Sequence, residues 1–417
     1  MTTWVRHAAA ASRPMTAYRR VTLAGVLAAA LLLAAPARDL RAQSGGRITL
    51  TVSETAGIRR TEYPVSTRVS LPKGALRDVR AVRLRNGDTA LAGQFTTASS
   101  WEDGSIRDLD VDFNLSIGVG ERRPIQLEYG GEVAGSDDKP RGALALTETA
   151  ETFQVGPLAL GRKARPLLAS VAYRGEIIGP GENGLTLIDG RGNAHPFGST
   201  GDVEAEVVKR GPLLVAIRYR GTVELDGGVR VPVSLLCELP NSKTWIKMTV
   251  VVDDRARQVS RLRLDTPFAL GPFPWTWDFG TDTGTYGTFR AATDRVVLTQ
   301  RVEKAGRSWT VETASAAAPE LRPYEQVVAG RVMTAFGWGH LLDTKNAIAF
   351  AVDRFAGLPG TTTWSVEGSG HVRYEAPVAA GQPAVLYQHF VGTPVPIGAA
   401  TSPAAMVRPL VVSTNRN

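Results

Sequence analysis

The chain has 417 residues, of which 43% are hydrophobic and 21% are charged. This composition is ordinary for a packed globular protein and suggests two or three domains. The formal net charge is +8, but residues 1–42 hold six Arg and one Asp, so the remainder carries only about +3. No basic run with interleaved aromatic residues lies beyond residue 42, which excludes an ordinary nucleic-acid partner.

The N-terminal region is typical of an export signal. Arg19-Arg20 precede an apolar segment, residues 21–35, that is too short for an ordinary membrane span. Cleavage is expected after Ala37 or Ala42. We therefore predict a signal peptide over residues 1–42 and a secreted or periplasmic protein without a stable membrane span. General secretion is favoured over the twin-arginine route.

Short strands follow in residues 43–131. Ile48, Leu50 and Val52 alternate with polar residues, as in a half-buried strand. Asn86-Gly87-Asp88 is a strong hairpin turn, and residues 109–115 form another alternating segment. This spacing predicts a compact β-barrel. The polar residues 132–145 indicate a linker.

Residues 146–417 are again rich in strands. Residues 213–219 and 229–233 flank Asp226-Gly227-Gly228, a hairpin signal, and residues 245–252 and 347–352 are long β-type runs. Two packed antiparallel sheets bury such strands efficiently. The sequence therefore predicts an all-β protein in which a large antiparallel β-sandwich follows a small β-barrel.

Three turn motifs of the first region occur in a specific order: Glu54-Thr55-Ala56-Gly57, Pro72-Lys73-Gly74 and Trp101-Glu102-Asp103-Gly104-Ser105-Ile106-Arg107. In this order they resemble the first domain of the exo-rhamnogalacturonan lyase (PcRGLX/YetA-like) family, a RIFT-type barrel. Gly211-Pro212, the segment ending at His340, and His389 resemble the sandwich domain of that family.

This resemblance implies recognition or degradation of an acidic, pectin-like polysaccharide of the rhamnogalacturonan type. Family members continue into a helical toroid, for which the 417 residues leave no room. The resemblance thus implies either a divergent lyase or a chain that works with a separate toroid partner, and enzymatic activity stays open. The alternative is a non-catalytic structural or protein-interaction module of the cell envelope.

Aromatic residues supply the candidate substrate-binding positions. Trp275, Trp277 and Tyr286 lie in a Gly-rich segment that we predict to be a loop, and Trp338 precedes a strand. Aromatic rings in loops can stack on sugar faces, and Asp278 or Asp282 could accept hydrogen bonds from sugar hydroxyls. The equally favoured alternative is that Trp275 and Trp277 close one end of the sandwich core.

Four residues are candidates for catalysis: His340, Arg354, Tyr387 and His389. Elimination from a uronide requires charge neutralisation, a base and an acid. Arg354 suits the first role, His340 or His389 the second, and Tyr387 the third. The alternative is structural, with hydrogen-bonded histidines and a partly buried tyrosine.

Metal binding is the remaining question. Asp108, Asp110, Asp112 and Asn114 share a strand face and offer the oxygen ligands that Ca²⁺ prefers. Strand neighbours on one face lie about 6.6–7 Å apart, so one ion would need further ligands. We therefore favour a solvated strand face, predict no metal site and keep Ca²⁺ only as a possible cofactor. Cys237, the single cysteine, is predicted to be a buried core residue.

Overall fold

A computed structural model describes residues 45–416 except 132, 136–139, 201, 283, 305, 325–334 and 393–402. The predicted signal peptide and part of the predicted linker lie outside these residues. Most of the described residues lie in strands and very few in helices, which confirms the all-β class. None of their helical segments has the length and apolar character needed to cross a membrane.

We call β1–β7 and β29 the first lobe. Its strands are β1 (Gly46–Ser53), β2 (Arg60–Ser70), β3 (Val82–Asn86), β4 (Thr89–Leu91), β5 (Gly93–Ser100), β6 (Ile106–Ile117), β7 (Arg122–Tyr129) and β29 (Val411–Arg416). A 3₁₀ turn (Val79–Ala81) precedes β3, and a short helix α1 (Pro403–Met406) precedes β29.

We call β8–β28 the second lobe. Its strands are β8 (Leu146–Glu148), β9 (Thr152–Val155), β10 (Leu158–Gly161), β11 (Leu168–Val171), β12 (Gly184–Asp189), β13 (Ala194–Pro196), β14 (Glu204–Lys209), β15 (Leu214–Leu225), β16 (Val229–Pro240), β17 (Trp245–Val252), β18 (Val259–Pro267), β19 (Trp275–Thr281), β20 (Thr285–Phe289), β21 (Arg295–Glu303), β22 (Gly306–Ser315), β23 (Ala318–Pro323), β24 (Ala335–Leu342), β25 (Asn346–Val352), β26 (Gly360–Glu367), β27 (His371–Pro377) and β28 (Ala384–Gly392). A 3₁₀ turn (Phe355–Gly357) follows β25.

The first lobe contains two small sheets. One has the order β29-β1-β7-β3-β4 and the other β2-β6-β5. The last strand pairs antiparallel with the first, from Ile48 opposite Arg416 to Ser53 opposite Val411. The range predicted for the sandwich, 146–417, therefore ends in a strand of the first lobe. The RIFT type of this lobe stays a prediction.

The second lobe is a sandwich of two large antiparallel sheets. Their orders are β13-β12-β18-β27-β26-β21-β22-β23 and β14-β15-β16-β17-β28-β25-β24-β19-β20, and β11-β10-β9-β8 form a further sheet. Alternating apolar residues of both large sheets meet in one core, which includes Ile217, Met248, Phe350 and Trp364. Cys237 lies in this core with no exposed surface, and burial raises the pKa of its thiol, as the core prediction requires.

Trp245 joins the two lobes. It belongs to the second lobe but packs in the core of the first. Its ring makes edge contacts with Tyr63 of the first lobe at 5.7 Å and with Tyr387 and His389 of the second at 6.1 and 5.8 Å. The outer face of the nine-stranded sheet is therefore partly covered by the first lobe.

A buried carboxylate organises the turns of the first lobe. Glu54 accepts hydrogen bonds from the N–H groups of Ala56 (2.8 Å), Gly57 (3.0 Å) and Gly120 (3.0 Å) and pairs with Arg60 at 3.4 Å. Burial by itself would raise the pKa of Glu54, but backbone N–H groups, Gly120 first, and Arg60 together lower it to about 2. The ionised form is thus stabilised by folding.

This pKa shift makes stability depend on pH. Because the pKa of Glu54 is about 2 in the folded state against an ordinary value of 4.5, its contribution to stability is present above pH 4.5 and is lost as the pH falls toward 2. Glu54→Gln removes this titration. The variant is less stable than the parent protein, and this difference is expected to shrink from pH 6 to pH 3, because only the parent protein loses the contribution of Glu54. Urea midpoints of both proteins and of exposed Glu102→Gln check this; a constant deficit would contradict it.

Candidate functional site

The segment that carries the predicted aromatic residues is a hairpin. β19 and β20 pair from Trp275 opposite Phe289 to Phe279 opposite Thr285. The prediction of a loop was therefore wrong. The glycines that suggested a loop serve the hairpin: Gly284 adopts φ +67° in its turn, and Gly287 leaves space for the Trp277 ring, which a Cβ there would overlap.

The hairpin separates the predicted aromatic residues by face. Trp275 and Trp277 point into the sandwich core and are 6% and 2% exposed. The Trp275 indole donates a hydrogen bond to the Gly271 carbonyl at 2.7 Å. Tyr286 points outward and is 61% exposed. Of these three, Tyr286 alone presents its ring to solvent, and the two tryptophans close the core as the alternative predicted.

On the outer face, β19 places Asp278 between two neighbours. Asp278 lies opposite Tyr286 of β20 and opposite His340 of β24. Its carboxylate contacts His340 Nδ1 at 2.8 and 3.0 Å and accepts a hydrogen bond from the His340 backbone N–H at 3.0 Å. An ionised carboxylate can only accept, so Nδ1 is the donor of this contact, and in the neutral imidazole Nε2 is left as an acceptor.

Trp338 completes the group. It precedes His340 by two positions on β24, so both side chains leave the same face of the sheet. Their rings meet edge to face with centroids 5.9 Å apart. Gly280 lies beneath the Trp338 indole, where a Cβ would overlap it. We call Tyr286, Asp278, His340 and Trp338 the Asp278 patch.

The patch combines aromatic rings with an oriented imidazole. The His340 side chain is 26% exposed and that of Asp278 33%, so both are accessible. Chemically, a carboxylate that holds the imidazole tautomer is the arrangement of a hydrogen-bonding site or of a general base. The sequence singled out all four residues as candidates, with Asp278 or Asp282 as the hydroxyl acceptor. The contact between Asp278 and His340 was not predicted, because it depends on strand register.

Tyr387 and His389 occupy the same sheet face under the first lobe. Ala349 of β25 stands between His389 and His340 in register, which separates the two histidines by about 9.6 Å. Tyr387 is 6% and His389 1% exposed, and burial raises the pKa of the Tyr387 hydroxyl. These two candidates pack around Trp245 and do not join the Asp278 patch.

Arg354 lies apart from the other candidates. It follows β25 with φ +56°, is largely exposed and approaches Asp353 at 3.5 Å. It lines an apolar cavity of about 330 Å³ with Val352, Tyr374 and Pro377. No residue of the Asp278 patch lines that cavity, so the structure does not bring Arg354 to His340.

The acidic face of β6 is engaged by cations. Lys209 contacts Asp110 at 3.3 Å and Asp112 at 2.9 Å, and Arg68 binds Asp110 at 2.7 Å. Asp112 is 2% exposed, and burial raises its pKa despite Lys209. The preferred interpretation of a solvated face was therefore wrong for Asp112, because β14 of the second lobe covers it with Lys209.

Asp108 and Asn114, the other two residues of that face, have polar partners. Ser70 and Ser99 donate to the Asp108 carboxylate at 2.7 and 2.5 Å, and these hydroxyls with Arg107 lower its pKa to about 2. The Asn114 amide donates to Asn241 Oδ1 at 2.9 Å. Lys209 and Arg68 supply the positive charge that calcium would supply. The prediction of no metal site, with Ca²⁺ kept as a possible cofactor, stays a prediction.

One other group has metal-ligand chemistry. Among the described residues, ligand atoms of Asp189, His195 and Asp226 lie within 4.8 Å of one another. The Asn193 amide donates to Asp226 at 2.8 Å and to Asp189 at 3.3 Å, and His195 approaches Asp189 at 3.3 Å. These mutual contacts account for the cluster without a metal.

The motif around Trp101 forms the β5–β6 hairpin. Asp103 accepts a hydrogen bond from the Ser105 N–H at 3.0 Å, and Gly104 adopts φ +77°. The Trp101 indole donates to the Leu71 carbonyl at 3.1 Å, and Arg107 contacts Asp108 at 3.0 Å. The motif therefore encodes a turn.

Comparison with known proteins gives similarity of fold. No protein-family model matches the chain, and no curated protein sequence matches it. An α-mannosidase from Enterococcus faecalis V583 is 10% identical with a TM-score of 0.50, over 88% of this chain and 46% of that chain. A protein in glycosyl hydrolase family 38 from Enterococcus faecalis is 10% identical with a TM-score of 0.49, over 88% and 47%. The chain thus spans about half the length of these proteins.

A galactose mutarotase-like protein from Lactobacillus casei ATCC 334 is 12% identical with a TM-score of 0.31, over 60% of this chain and 99% of that chain. The assignment to the exo-rhamnogalacturonan lyases was wrong, because the similar structure with a TM-score of 0.50 is an α-mannosidase and a likeness to that lyase is not shown. Turn motifs such as Trp101–Arg107 encode hairpins, which unrelated β-folds share. The expected toroid partner loses its basis with that assignment.

Proposed function

We propose that this chain recognises carbohydrate through the Asp278 patch. The observation that carries the proposal is the exposed Tyr286 ring beside the Asp278–His340 pair. Ligand sites combine aromatic surface with a few well-placed polar groups, and the patch has this composition. Export of the chain, suggested by residues 21–35, belongs to the same proposal.

The geometry of the patch suits a sugar chain lying across the strands. Tyr286 and His340 are two strands apart, roughly 9.6 Å, with Asp278 between them. The Tyr286 ring offers a flat apolar surface, Asp278 accepts hydrogen bonds from hydroxyl groups, and His340 Nε2 accepts another. Trp338 forms the opposite edge. The sandwich shared with an α-mannosidase makes mannose the first sugar to try.

Tyr286→Ala is expected to weaken oligosaccharide binding about five- to tenfold, because an aromatic contact contributes about 1–1.5 kcal/mol. Calorimetry with a panel of neutral oligosaccharides of mannose, glucose and galactose measures the effect. Val119→Ala in the first lobe has the same exposed fraction, 61%, and is the matched control. Absence of binding to every oligosaccharide, or equal binding by Tyr286→Ala, would refute the proposal.

A further inference from the structure

A second concave surface lies at the edge of the sandwich, where β20 of one large sheet approaches β21–β23 of the other. It is a cavity of about 370 Å³, within the range of small-ligand sites. We call it the arginine groove, after Arg290, Arg295 and Arg322 in its lining; Asp294, Trp277 and Tyr324 also line it.

The described lining of the groove carries an excess of positive charge. Its single carboxylate, Asp294, accepts hydrogen bonds from the N–H groups of Arg290 (2.6 Å) and Ala291 (3.0 Å). Among the described residues, no carboxylate lies within ion-pair distance of Arg290, Arg295 or Arg322. The Arg295 Nε atom is buried, and no described residue forms a hydrogen bond with it. The described lining therefore holds three guanidinium groups against one carboxylate.

Acidic residues on the adjoining strands form no ion pair with these arginines in the part of the chain that the structure describes. Glu367 of β26 lies opposite Arg295 in register, and its carboxylate accepts a hydrogen bond from the Ser369 hydroxyl at 3.3 Å. Glu320 precedes Arg322 by two positions on β23 and does not line the groove. The described lining, with three guanidinium groups and one carboxylate, therefore leaves positive charge for a ligand.

The wall of the groove is aromatic and connects it to the Asp278 patch. Tyr324 and Trp277 meet with ring centroids 5.2 Å apart. The Tyr324 hydroxyl donates to the Tyr286 carbonyl at 2.7 Å. Thr288 lines the groove and is exposed on the same face of β20 as Tyr286. Edge strand β20 therefore joins the two surfaces.

We propose that the arginine groove binds a sugar unit bearing an oxyanion, either a carboxylate or a sulfate ester. Guanidinium groups bind planar oxyanions through paired, charge-assisted hydrogen bonds and are weakly hydrated. The Tyr324 ring packs against the sugar, and the Thr288 hydroxyl binds its polar edge. The sugar part of this inference rests on the proposed function, and it specifies the substrate class as an anionic glycan.

Three probes distinguish a carboxylate, a sulfate ester and a neutral sugar: methyl glucuronide, glucose 6-sulfate and methyl glucoside. Each is titrated into the purified full chain, and binding is followed by tryptophan fluorescence and magnetic resonance. At least one anionic sugar is expected to bind about tenfold or more tightly than the neutral sugar. Arg290→Gln and Arg322→Gln, both exposed residues, are each expected to weaken that binding about tenfold. Arg301→Gln, exposed on β21, is the control and retains it.

The two anionic probes identify which oxyanion the groove takes. Equal affinity for the neutral sugar, undiminished binding by the arginine variants, or binding of inorganic sulfate without either anionic sugar would overturn the inference. Arginine-dependent binding of an anionic sugar, with Tyr286→Ala without effect on neutral oligosaccharides, would reject the Asp278 patch and keep the groove. If Tyr286→Ala weakens binding of neutral oligosaccharides while the arginine variants bind the anionic sugars undiminished, the groove is rejected and the Asp278 patch is kept.

Discussion

Glu54→Ala is expected to lower the free energy of unfolding by about 3–5 kcal/mol, because removing one partner of a buried ion pair leaves the other uncompensated. Both side chains of the Glu54–Arg60 pair are 1% exposed or less. Arg60 also donates to the carbonyls of Ala405 at 2.8 Å and Arg408 at 2.6 Å. Glu54 therefore stabilises two turns and the segment before β29 together. Urea unfolding at pH 7 measures the loss.

The double variant Glu54→Ala, Arg60→Met supplies the sharper comparison. Replacing both charges with apolar side chains removes the uncompensated cation, so this variant is expected to be more stable than Glu54→Ala alone. Exposed Glu102→Ala is the control, with a change within about 0.5 kcal/mol. A loss as small for Glu54→Ala as for the control would show that the pair contributes little.

Trp245→Ala is expected to cost about 3–5 kcal/mol, the usual range for deleting a large buried aromatic side chain. Trp245 is 4% exposed and fills the space between Tyr63 of the first lobe and Tyr387 and His389 of the second. Its removal leaves a cavity where the lobes meet, so both are expected to lose stability. Denaturant unfolding followed by circular dichroism measures the total loss.

A double-mutant cycle tests whether Trp245 couples the lobes. Combining Trp245→Ala with Tyr63→Leu is expected to give a coupling energy of about 0.5–1.5 kcal/mol, as for other aromatic pairs. Trp101→Ala in the first lobe, where the ring is 36% exposed, is the control and is expected to cost less. If the free-energy changes of the two single variants add up to that of the double variant, Trp245 and Tyr63 are not energetically coupled.

Local patterns were sufficient to predict several strands of the fold. The alternation of Ile48, Leu50 and Val52 became β1, and Asp226-Gly227-Gly228 became the turn between β15 and β16. Each signal lies within a dozen residues, where side-chain periodicity and turn chemistry determine the backbone. The β19–β20 hairpin was missed because its glycines resemble those of a loop, although Trp275, Trp277 and Phe279 alternate as in a strand.

Long-range pairings left no comparable signal. Nothing near Asp112 indicated that Lys209, 97 positions away, would contact it, and nothing in residues 411–416 indicated pairing with β1. For the site, His340 and Tyr286 were candidates by residue type. Both lie next to Asp278 only because of the registers of β19, β20 and β24. The arginine groove likewise is lined by residues from separate strands.

The pairing of β29 with β1 has a consequence for biosynthesis. During translation, β1 emerges from the ribosome some 360 residues before its outer neighbour. Until β29 arrives, one edge of β1 offers unpaired N–H and C=O groups, a template for adding a strand from another chain. Closing so long a loop is also slow. The nascent first lobe is therefore open to strand addition from another chain until β29 is made.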